Sequence, residues 1–370
     1  MAEVLARVNA DLLERFMADV FRRLGVPDED AAICADVLIT ADKRGIDSHG
    51  VGRMRSFYYD RIRAGIQEAV TRIELVRQSP TTAIIDGNNG MGMVIGKRSM
   101  ALALDKARQF GMGMVVAKNS THYGIAGYYA LMAAEEGMIG ITGTNARPAI
   151  APTFGVEPML GTNPLTFGMP SDELFPFVLD CATSMTQRGK IEVYDRAGEE
   201  LPAGWVIGRD GKPRTDAHQI LEDLVTGQAA LTPLGGIGEE FSGYKGYGYA
   251  TVVEILSAAL ASGPFLRGLS GVDAHGGRKP YQLGHFFMAV NVETFTDLES
   301  FKHDVGDILR ELRSARKAPG QERIYTAGEK EYLAWQERKK KGIPLGAILQ
   351  RQFIDMRDEL GLAQYRFPFE

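Results

Sequence analysis

Apolar and polar residues alternate with helical spacing at the start of the chain. Between residues 12 and 24, large apolar side chains recur every three or four positions, with charged side chains such as Asp19 between them. This pattern predicts an amphipathic helix that buries one face, unlike the uninterrupted apolar run of a signal peptide. Two more helices are predicted, over about 28–43 and about 48–64, so residues 1–78 are expected to be mostly helical.

A strand, a helix and a second strand are predicted next. Residues 82–86 (TAIID) form an apolar run, a glycine and asparagine turn follows, and helical spacing covers 97–110 before an apolar run at 113–117. From about 138 to 185, three short apolar segments, MIGITGT, PLTFGMP and FPFVLDCA, are separated by glycine and proline rather than by helices. Strands joined without helices pair antiparallel, so we expect a mixed sheet rather than a purely parallel one.

The remainder of the chain is predicted to form loops, then a helix and one further strand, and finally a helical C-terminal region. Residues 195–243, rich in glycine, proline and aspartate, are expected to be loops, whereas 246–262 is a predicted helix and 283–292 a predicted strand. The fold class is therefore α/β (α+β) with two units. One is a mainly helical domain formed by residues 1–78 together with residues 300–370. The other is an α/β domain formed by residues 79–299.

The charge balance and the cysteine content exclude several classes of protein. The 42 Lys and Arg against 47 Asp and Glu give a net charge of -5, without a cationic surface for nucleic acid or an anionic membrane. The basic block 338–341 closes a polar helical stretch and is expected to be a solvated helix end. The apolar stretch 250–266 is interrupted and too short to span a bilayer. Two cysteines, Cys34 and Cys181, form no disulfide framework and suit a reducing cytoplasm.

No motif of nucleophilic, metal or Rossmann-type dinucleotide chemistry is present. Gly90, Gly92 and Gly96 lie between a predicted strand and a predicted helix, but their spacing differs by one residue from GxGxxG. We therefore predict an ordinary glycine-rich turn there. The sequence has no GxSxG or HExxH, and its six histidines show no metal-ligand spacing, so no metal site is expected.

The segment RGIDSHGVGR, residues 44–53, places a histidine and an arginine one predicted helical turn apart. Asp47 or Ser48 can cap the helix, and His49 and Arg53 would share one of its faces. An arginine can hold a carboxylate with two hydrogen bonds, and a histidine can give or take the proton of a neighbouring oxygen. The pair suits a 2-oxo acid, and the alternative is a capped surface helix without chemistry.

Further segments follow predicted strands or open predicted helices. In NSTHYGIAG, His122 lies at a strand end beside a helix start, where the helix dipole keeps an imidazole neutral; the alternative is a structural histidine. GTNP and LDCATS, residues 161–164 and 179–184, offer small residues that let a ligand approach the backbone. In GYKGYG, Lys245 at a helix start suits a phosphate group, and the alternative is an ordinary exposed lysine.

Taken together and in this order, these motifs resemble the type 2 malate/L-lactate dehydrogenase family. The matching segments are RGIDSHGVGR, THYGIAG, GTNPLTF, LDCATS and GYKGYGYA, and the similarity extends from about residue 10 to about 330. The family also includes L-sulfolactate and ureidoglycolate dehydrogenases, diketogulonate reductases and cyclic imine reductases. The resemblance implies a dinucleotide-binding fold that is not the Rossmann fold, and a homodimer that binds NAD(P) near the subunit interface.

The resemblance also implies roles for individual residues. His49 corresponds to the proton donor of several members, with Ser48 supporting it, and Arg53 meets the substrate carboxylate. His122 corresponds to the proton acceptor of another member, and both assignments stay open. Cofactor contacts are expected at His122, Asn145, Val178, Asp180, Cys181, Ala182, Thr183, Ser184, Tyr244, Lys245, Gly328 and Glu329. Lys190 stands where the imine reductases have an acidic residue, which argues against that branch. The segment KKKGIPLGAILQRQ is longer than the family pattern, and no function is assigned to it.

The expected function is that of an NAD-dependent dehydrogenase, with NADP as the alternative cofactor, for malate, lactate or a similar 2-hydroxy acid. A ureidoglycolate, sulfolactate or sugar-acid dehydrogenase of the same family is the alternative enzyme. A non-catalytic dinucleotide-binding redox sensor is the alternative of another class. The presence of both His49 and Arg53 favours an enzyme, whereas the identity of the acid depends on the shape of the pocket.

Overall fold

Residues 5–370 are described by a computed structural model, and within them helices and strands alternate along most of the chain. The helices are α1 (Ala10–Arg23), α2 (Asp28–Lys43), α3 (Asp60–Arg63), α4 (Gly92–Phe110), α5 (Ala126–Glu135), α6 (Arg188–Ala197), α7 (Ala217–Thr226), α8 (Gly243–Ala258), α9 (Leu298–Ser314), α10 (Glu329–Lys341) and α11 (Ala347–Glu359). The strands are β1 (Ala6–Val8), β2 (Glu74–Gln78), β3 (Thr82–Asp86), β4 (Met112–Ser120), β5 (Met138–Thr144), β6 (Leu165–Met169), β7 (Phe177–Cys181), β8 (Val206–Gly208), β9 (Ala229–Leu231), β10 (Leu283–Asn291) and β11 (Ile343–Leu345).

The first two helices agree with the spacing of their apolar residues. The Asn9 side chain accepts a hydrogen bond of 3.0 Å from the Leu12 amide and so caps α1. Helix α2 follows Pro27 and carries acidic residues in its first turn, where they interact favourably with the helix dipole. Phe16 and Leu38, one from each helix, are fully buried in the same core. Both predicted helices are therefore confirmed.

The third predicted helix, over about 48–64, is wrong in its first half. The chain instead forms a 3-10 turn at Val51–Arg53, then a π-helical turn at Met54–Tyr59, and only afterwards α3. The first amide of this segment donates over 2.7 Å to the carboxylate of Asp42, which lies near the end of α2. Because the cap comes from an earlier helix, no local sequence signal marks where this segment starts.

Seven strands form one mixed sheet in the order β2-β3-β4-β10-β5-β6-β7. Strands β3 and β4 are parallel, and every other neighbouring pair in this sheet is antiparallel. This confirms an α/β fold with a mixed sheet whose strand order is not that of the Rossmann fold. Residues 74–78, which the sequence pattern left among the helices, form the edge strand β2.

Helices cover both faces of the sheet, as the side chains of β10 demonstrate. Phe287 is buried in one core with residues of α4 and α5, whereas its neighbour Phe286 is buried in another core with Val253 of α8. Successive side chains of a strand point to opposite faces, so both faces of the sheet are covered. Helices α5 and α8, which begin at the THYGIAG and GYKGYG motifs, are therefore held against opposite faces of the sheet.

Residues 195–243 do not form the loops that their composition predicted. This region contains the end of α6, α7 and the antiparallel pair of β8 and β9, around a small core that includes Ile191 and Ile220. Gly198 and Gly227 end the two helices in the left-handed conformation. Within α7, the apolar residues do recur at helical spacing, so this helix has a local signal that the high glycine, proline and aspartate content of the whole region obscures: Ala217, Ile220, Leu221, Leu224 and Val225.

The two ends of the chain fold against each other. Strand β1 pairs antiparallel with β11, and the rings of Phe16 and Phe353 pack with 5.2 Å between their centroids. The C-terminal tail therefore contributes to the same core as α1 and α2. No described helix combines the length and the apolar character that a bilayer crossing requires. The division into domains, at 1–78 with 300–370 and at 79–299, stays a prediction.

Candidate active site

The turn between α2 and the 3-10 turn carries the SHG motif and packs on a buried carboxylate. Asp42 is buried and accepts the first amide hydrogen bond of the 3-10 turn. Neither Asp47 nor Ser48 makes a capping hydrogen bond, so the predicted cap is wrong. A Cβ built on Gly50 would lie 2.1 Å from Oδ2 of Asp42. Only glycine fits this close approach, which explains the third residue of the motif.

Helix α10, whose last three residues begin the segment to which no function was assigned, reaches this turn. The Arg338 guanidinium of α10 donates hydrogen bonds to the Asp42 carbonyl oxygen and to both carboxylate oxygens of Asp47. Only 13% of the Arg338 side chain is exposed. The basic block is therefore not a uniformly solvated helix end, because its first residue fixes the backbone directly before Ser48 and His49.

His49 lies in the SHG turn, and one of its ring nitrogens forms a hydrogen bond with the protein. The Ser48 hydroxyl is 2.9 Å from its Nδ1. Burial, and after it the charge of Arg53, lowers the pKa of His49 to about 4. The imidazole is therefore neutral at pH 7 in the free protein. Because a hydroxyl can donate or accept, Ser48 accommodates both tautomers of the ring and its protonated form.

His122 follows β4, and its ring stacks on that of His49 with 5.7 Å between centroids and 17° between planes. The Gly124 amide donates to its Nδ1 over 3.3 Å, and the Tyr58 hydroxyl lies 2.6 Å from the same atom. A backbone amide can only donate, so Nδ1 is an acceptor and the ring proton is on Nε2. Burial, and after it the neighbouring His49 and Arg53, lowers the pKa of His122 well below its usual range. His122 is therefore a neutral donor at Nε2.

Arg53 lies near the two histidines because the chain turns here. It does not share a helix face with His49, so the prediction of a shared face is wrong. The prediction that the two side chains lie close together is confirmed. The Arg53 Nε donates to the Ser48 carbonyl oxygen, and its guanidinium carbon lies 4.9 Å from the centroid of the Phe57 ring. That ring is 4.9 Å from the His122 ring. The terminal amino groups of Arg53 make no hydrogen bond or ion pair within residues 5–370. They are free to bind a carboxylate.

The sequence pattern missed Phe57 and Tyr58, which complete this site. An ideal helix turns consecutive side chains about 100° apart, yet both residues contact the His122 ring. Both lie on the π-helical turn, a local widening that often occurs at functional sites. No spacing rule signals such a turn, and Tyr58 is separated from His122 by 64 positions.

A third histidine, His285 of β10, is held from both sides. Its Nδ1 is 2.7 Å from the Thr144 hydroxyl and its Nε2 is 2.7 Å from the Ser120 hydroxyl. Its ring stacks on Tyr123 at 4.4 Å, and burial lowers its pKa to about 3. With both nitrogens occupied, His285 supports the strand end that carries His122.

The LDCATS segment connects the end of β7 with the start of α5. The Asp180 carboxylate accepts the Gly127 amide at 2.7 Å and the Thr166 hydroxyl at 3.0 Å, and burial raises its pKa. Further on, the Leu234 amide donates to the Thr183 carbonyl oxygen. Val178 directly precedes this segment, which also contains the predicted cofactor residues Cys181, Ala182 and Ser184. It therefore links the His122 side of the sheet to the loop before α8.

The start of α8 is open to a ligand. Ser242, its N-cap residue, has a φ of 67° and makes no side-chain capping hydrogen bond, and the amides of Gly243 and Tyr244 have no acceptor among residues 5–370. A Cβ on Gly246 would lie 2.3 Å from the Leu234 carbonyl oxygen, so glycine lets the helix start pack on the preceding loop. Tyr244 and Lys245 are exposed, and Lys245 forms no ion pair in the described part of the chain. Uncapped amides beside a free ammonium group fit a dinucleotide pyrophosphate.

Three predicted cofactor residues are packed into the protein instead. Asn145 is fully buried, and its side chain accepts the Gly284 amide at 2.8 Å. A Cβ on Gly328 would lie 2.7 Å from a carbonyl oxygen just before β7. The Glu329 carboxylate is buried in an ion pair with Arg323. The Asn145 and Glu329 side chains are engaged by the protein in this structure, and the assignment of these residues to the cofactor stays a prediction.

Neither the glycine turn after β3 nor a metal cluster offers an alternative site. A Cβ on Gly92 would lie 2.2 Å from the Thr121 carbonyl oxygen, and a Cβ on Gly96 would lie 2.7 Å from the Tyr129 ring. These glycines let α4 pack closely against its neighbours, as expected for an ordinary turn. Over the described range, no three His, Cys, Asp or Glu side chains are placed to hold a metal ion.

Comparisons with known proteins agree on one family. The sequence model of the malate/L-lactate dehydrogenase family matches residues 8–353. A malate dehydrogenase of Pyrococcus horikoshii is 46% identical over 356 residues, 96% of each chain. An L-sulfolactate dehydrogenase of Methanocaldococcus jannaschii is 38% identical over 94% of this chain and 96% of its own. The crystal structure of malate dehydrogenase from Entamoeba histolytica matches with a TM-score of 0.94 and 45% identity, covering 97% of this chain and 99% of that one. The resemblance is confirmed: this chain belongs to the malate/L-lactate dehydrogenase family, whose members are pyridine-nucleotide-dependent dehydrogenases of 2-hydroxy acids.

Proposed function

We propose that this dehydrogenase oxidises malate to oxaloacetate with NAD, and that His49, His122 and Arg53 carry the reaction, with Ser48 supporting His49. The observation behind the proposal is the stacked pair of neutral histidines beside an arginine whose terminal amino groups are free. A carboxylate bound by Arg53 would place the neighbouring carbon and its oxygen next to two imidazoles. Malate is favoured because a relative named malate dehydrogenase is 46% identical. A redox sensor would not need this arrangement.

Each residue has a separate task when the hydroxy acid is oxidised. Arg53 holds the carboxylate with its planar fork, and His122 donates from Nε2 to the substrate oxygen. With Ser48 accepting at Nδ1, the Nε2 lone pair of His49 is free to take the hydroxyl proton. Bound NAD supplies the nicotinamide ring that accepts the hydride.

Reduction of the 2-oxo acid requires His49 in its protonated form. A pKa of about 4 leaves the ring neutral at pH 7 in the free protein. An anionic carboxylate bound beside the ring favours the charged form and raises this pKa. The protonated ring can then deliver its proton as negative charge develops on the substrate oxygen. Binding of the acid and readiness for proton transfer are therefore coupled.

The cofactor assignment rests on the start of α8. Its uncapped amides and Lys245 would hold the pyrophosphate, and the LDCATS segment would line the path towards His122. NAD is proposed over NADP because a 2′-phosphate normally requires an arginine near the ribose, and the proposed contact residues include none. A kcat/KM that favours NADP tenfold or more would reverse this choice.

The protein is proposed to act as a homodimer in the cytoplasm. Tyr249, Val252 and Ile255 form an apolar row on α8 and are 56%, 47% and 52% exposed. Such rows commonly mark association, and two-fold pairing is the most frequent form. Light scattering should give a dimer for the wild type and a monomer for Val252→Glu. An active wild-type monomer at all concentrations would exclude the dimer.

The unpaired thiols of Cys34 and Cys181 suit a reducing compartment such as the cytoplasm.

Steady-state NADH oxidation with a panel of 2-oxo acids tests the proposed reaction. Oxaloacetate should give the highest kcat/KM. Arg53→Lys keeps the charge but loses the planar fork, so KM should rise and kcat should fall through misorientation, by roughly tenfold or more in kcat/KM. Arg316→Lys, at an exposed position, is the matched control.

Three outcomes would change the proposal. Full activity of Arg53→Lys with every acid would remove the carboxylate clamp. A preference for the 2-oxo acid that corresponds to ureidoglycolate, or for an oxidised sugar acid, would replace malate as the substrate. Binding of NADH without turnover of any acid would favour the redox sensor.

A further inference from the structure

The first turn of α6 lies against the SHG turn. A Cβ built on Gly189 would lie 3.7 Å from the Cβ of Ser48. The charges of Arg188 and Glu192, on the same helix, both act on the Arg53 guanidinium. Helix α6 therefore brings a second guanidinium group to the surroundings of the proposed carboxylate clamp.

Arg188 has hydrogen-bonding capacity left for a ligand. Its Nε donates to the Glu192 carboxylate over 3.0 Å, and the two side chains are 47% and 42% exposed. Such an exposed pair is weak, and the terminal amino groups of Arg188 have no other partner in the described part of the chain.

The backbone before Arg188 is also incompletely satisfied. The Gln187 side chain makes no capping hydrogen bond, and the amides of Arg188 and Gly189 have no acceptor among residues 5–370. Thr186, directly before it, is 5% exposed, and its hydroxyl finds no hydrogen-bond partner among residues 5–370. Amides and a hydroxyl of this kind complement an anion held by the guanidinium.

Two arginines with free terminal groups suit a ligand that carries two anions. The Glu192 carboxylate, which is hydrogen bonded to Arg188 and also acts on Arg53, offsets the repulsion between the two guanidinium groups. A 2-oxo acid with one carboxylate would satisfy only one of them, whereas a second anionic group at its far end would satisfy the other. We propose that Arg188 binds the distal carboxylate or sulfonate of the substrate and so selects dianionic over monoanionic 2-oxo acids. This inference rests on the proposed role of Arg53.

Lys190 offers a matched control for the charge of Arg188. It lies two positions further on, and its ammonium group is 5.0 Å from the centroid of the Trp205 ring. Its side chain is therefore committed to a different neighbour. Lys190→Gln removes the same charge from the same helix turn, and it should leave substrate selectivity unchanged.

The test compares kcat/KM for oxaloacetate, sulfopyruvate and the monoanion 2-oxobutanoate. For Arg188→Gln we expect a fall of roughly 10- to 100-fold with the two dianionic acids, mainly through KM, and less than about twofold with 2-oxobutanoate. Arg188→Lys should recover part of the loss because it restores the charge without the fork. Retained turnover of 2-oxobutanoate also reports that the variants are folded.

Loss with oxaloacetate alone assigns Arg188 to carboxylates, and loss with sulfopyruvate alone assigns it to sulfonates. An equal loss with all three acids, an unchanged ratio of dianionic to monoanionic acids, or the same shift in Lys190→Gln would overturn the inference. If the wild type reduces none of the acids, the proposed function fails before this inference is reached, so the two failures are distinguishable.

Discussion

The SHG turn and the start of α8 differ in how completely their polar groups are satisfied before a ligand binds. At the SHG turn, Asp42 and Arg338 hold the backbone, and Ser48 engages the His49 ring. At the start of α8, the first amides are uncapped and the Lys245 side chain is exposed. Preordered groups contribute mainly to transition-state stabilisation, whereas open donors contribute mainly to binding. Changes in the first region should therefore act on kcat, and changes in the second on cofactor affinity.

A similar contrast separates His49 from His285. Burial lowers both pKa values, to about 4 and about 3. His285 has a hydroxyl at each nitrogen, whereas within residues 5–370 only Nδ1 of His49 has a hydrogen-bond partner. A depressed pKa alone does not mark a proton carrier. A nitrogen that faces the site without a protein partner is also required.

The largest expected effect comes from His49→Ala. Loss of the proton carrier should lower kcat by roughly 10²- to 10⁴-fold, while NADH binding persists because the ring is not part of the proposed cofactor contacts. Steady-state kinetics and a fluorescence titration with NADH measure the two quantities. His218→Ala, at an exposed histidine of α7, is the control. A near-normal kcat in His49→Ala would leave His122 as the principal acid and base.

The next effect is expected at the start of α8. Lys245→Ala should weaken NADH binding by about tenfold, the loss of a charge-assisted hydrogen bond, with kcat at saturating NADH little changed. Lys317→Ala, which removes another exposed lysine, should have no such effect.

A substitution in the glycine turn after β3 tests the alternative position of the cofactor. Gly92→Ala should reduce stability because its Cβ would lie 2.2 Å from the Thr121 carbonyl oxygen. Should a folded Gly92→Ala variant lose NADH binding while Lys245→Ala keeps it, the cofactor lies at the glycine turn.

A smaller effect is expected where α10 supports the SHG turn. Arg338→Ala removes hydrogen bonds to the Asp42 carbonyl oxygen and the Asp47 carboxylate, and should lower the free energy of unfolding by about 1 to 2 kcal/mol. The loosened turn should also lower kcat several-fold. Urea denaturation and kinetics measure both, with Lys340→Ala as control on the same helix end. A loss of stability without any change in kcat would separate α10 from the chemistry.

The smallest effect concerns the pH dependence of stability. His49 titrates at about 4 in the folded protein, below its ordinary value of 6.5. Between these values the unfolded chain binds more protons, so the free energy of unfolding falls as the pH is lowered through this window. His49→Ala removes this contribution, and its stability should depend less on pH between about 4 and 6.5 than that of the wild type. A steeper dependence would mean that the ring is protonated in the folded protein.

Local pattern was sufficient for part of the fold. Helices α1 and α2 follow from residues that are close in the chain, namely apolar positions three or four apart, the Asn9 cap of α1 and the acidic first turn of α2. Strand β3 coincides with the predicted run at 82–86. The order of five short motifs was likewise enough to recognise the family, because each motif is contiguous in sequence.

The sequence by itself therefore determined the early helices, several strands, the family and the pairing of His49 with Arg53. Only the tertiary structure decided that Tyr58 orients His122 across 64 positions and that Arg338 reaches Asp47 across 291. It also decided that residues 188–197 form a helix beside the site. These contacts join segments whose proximity results from packing on a common sheet and core. A local period carries no information about that packing, because side chains brought together by folding need no fixed separation along the chain.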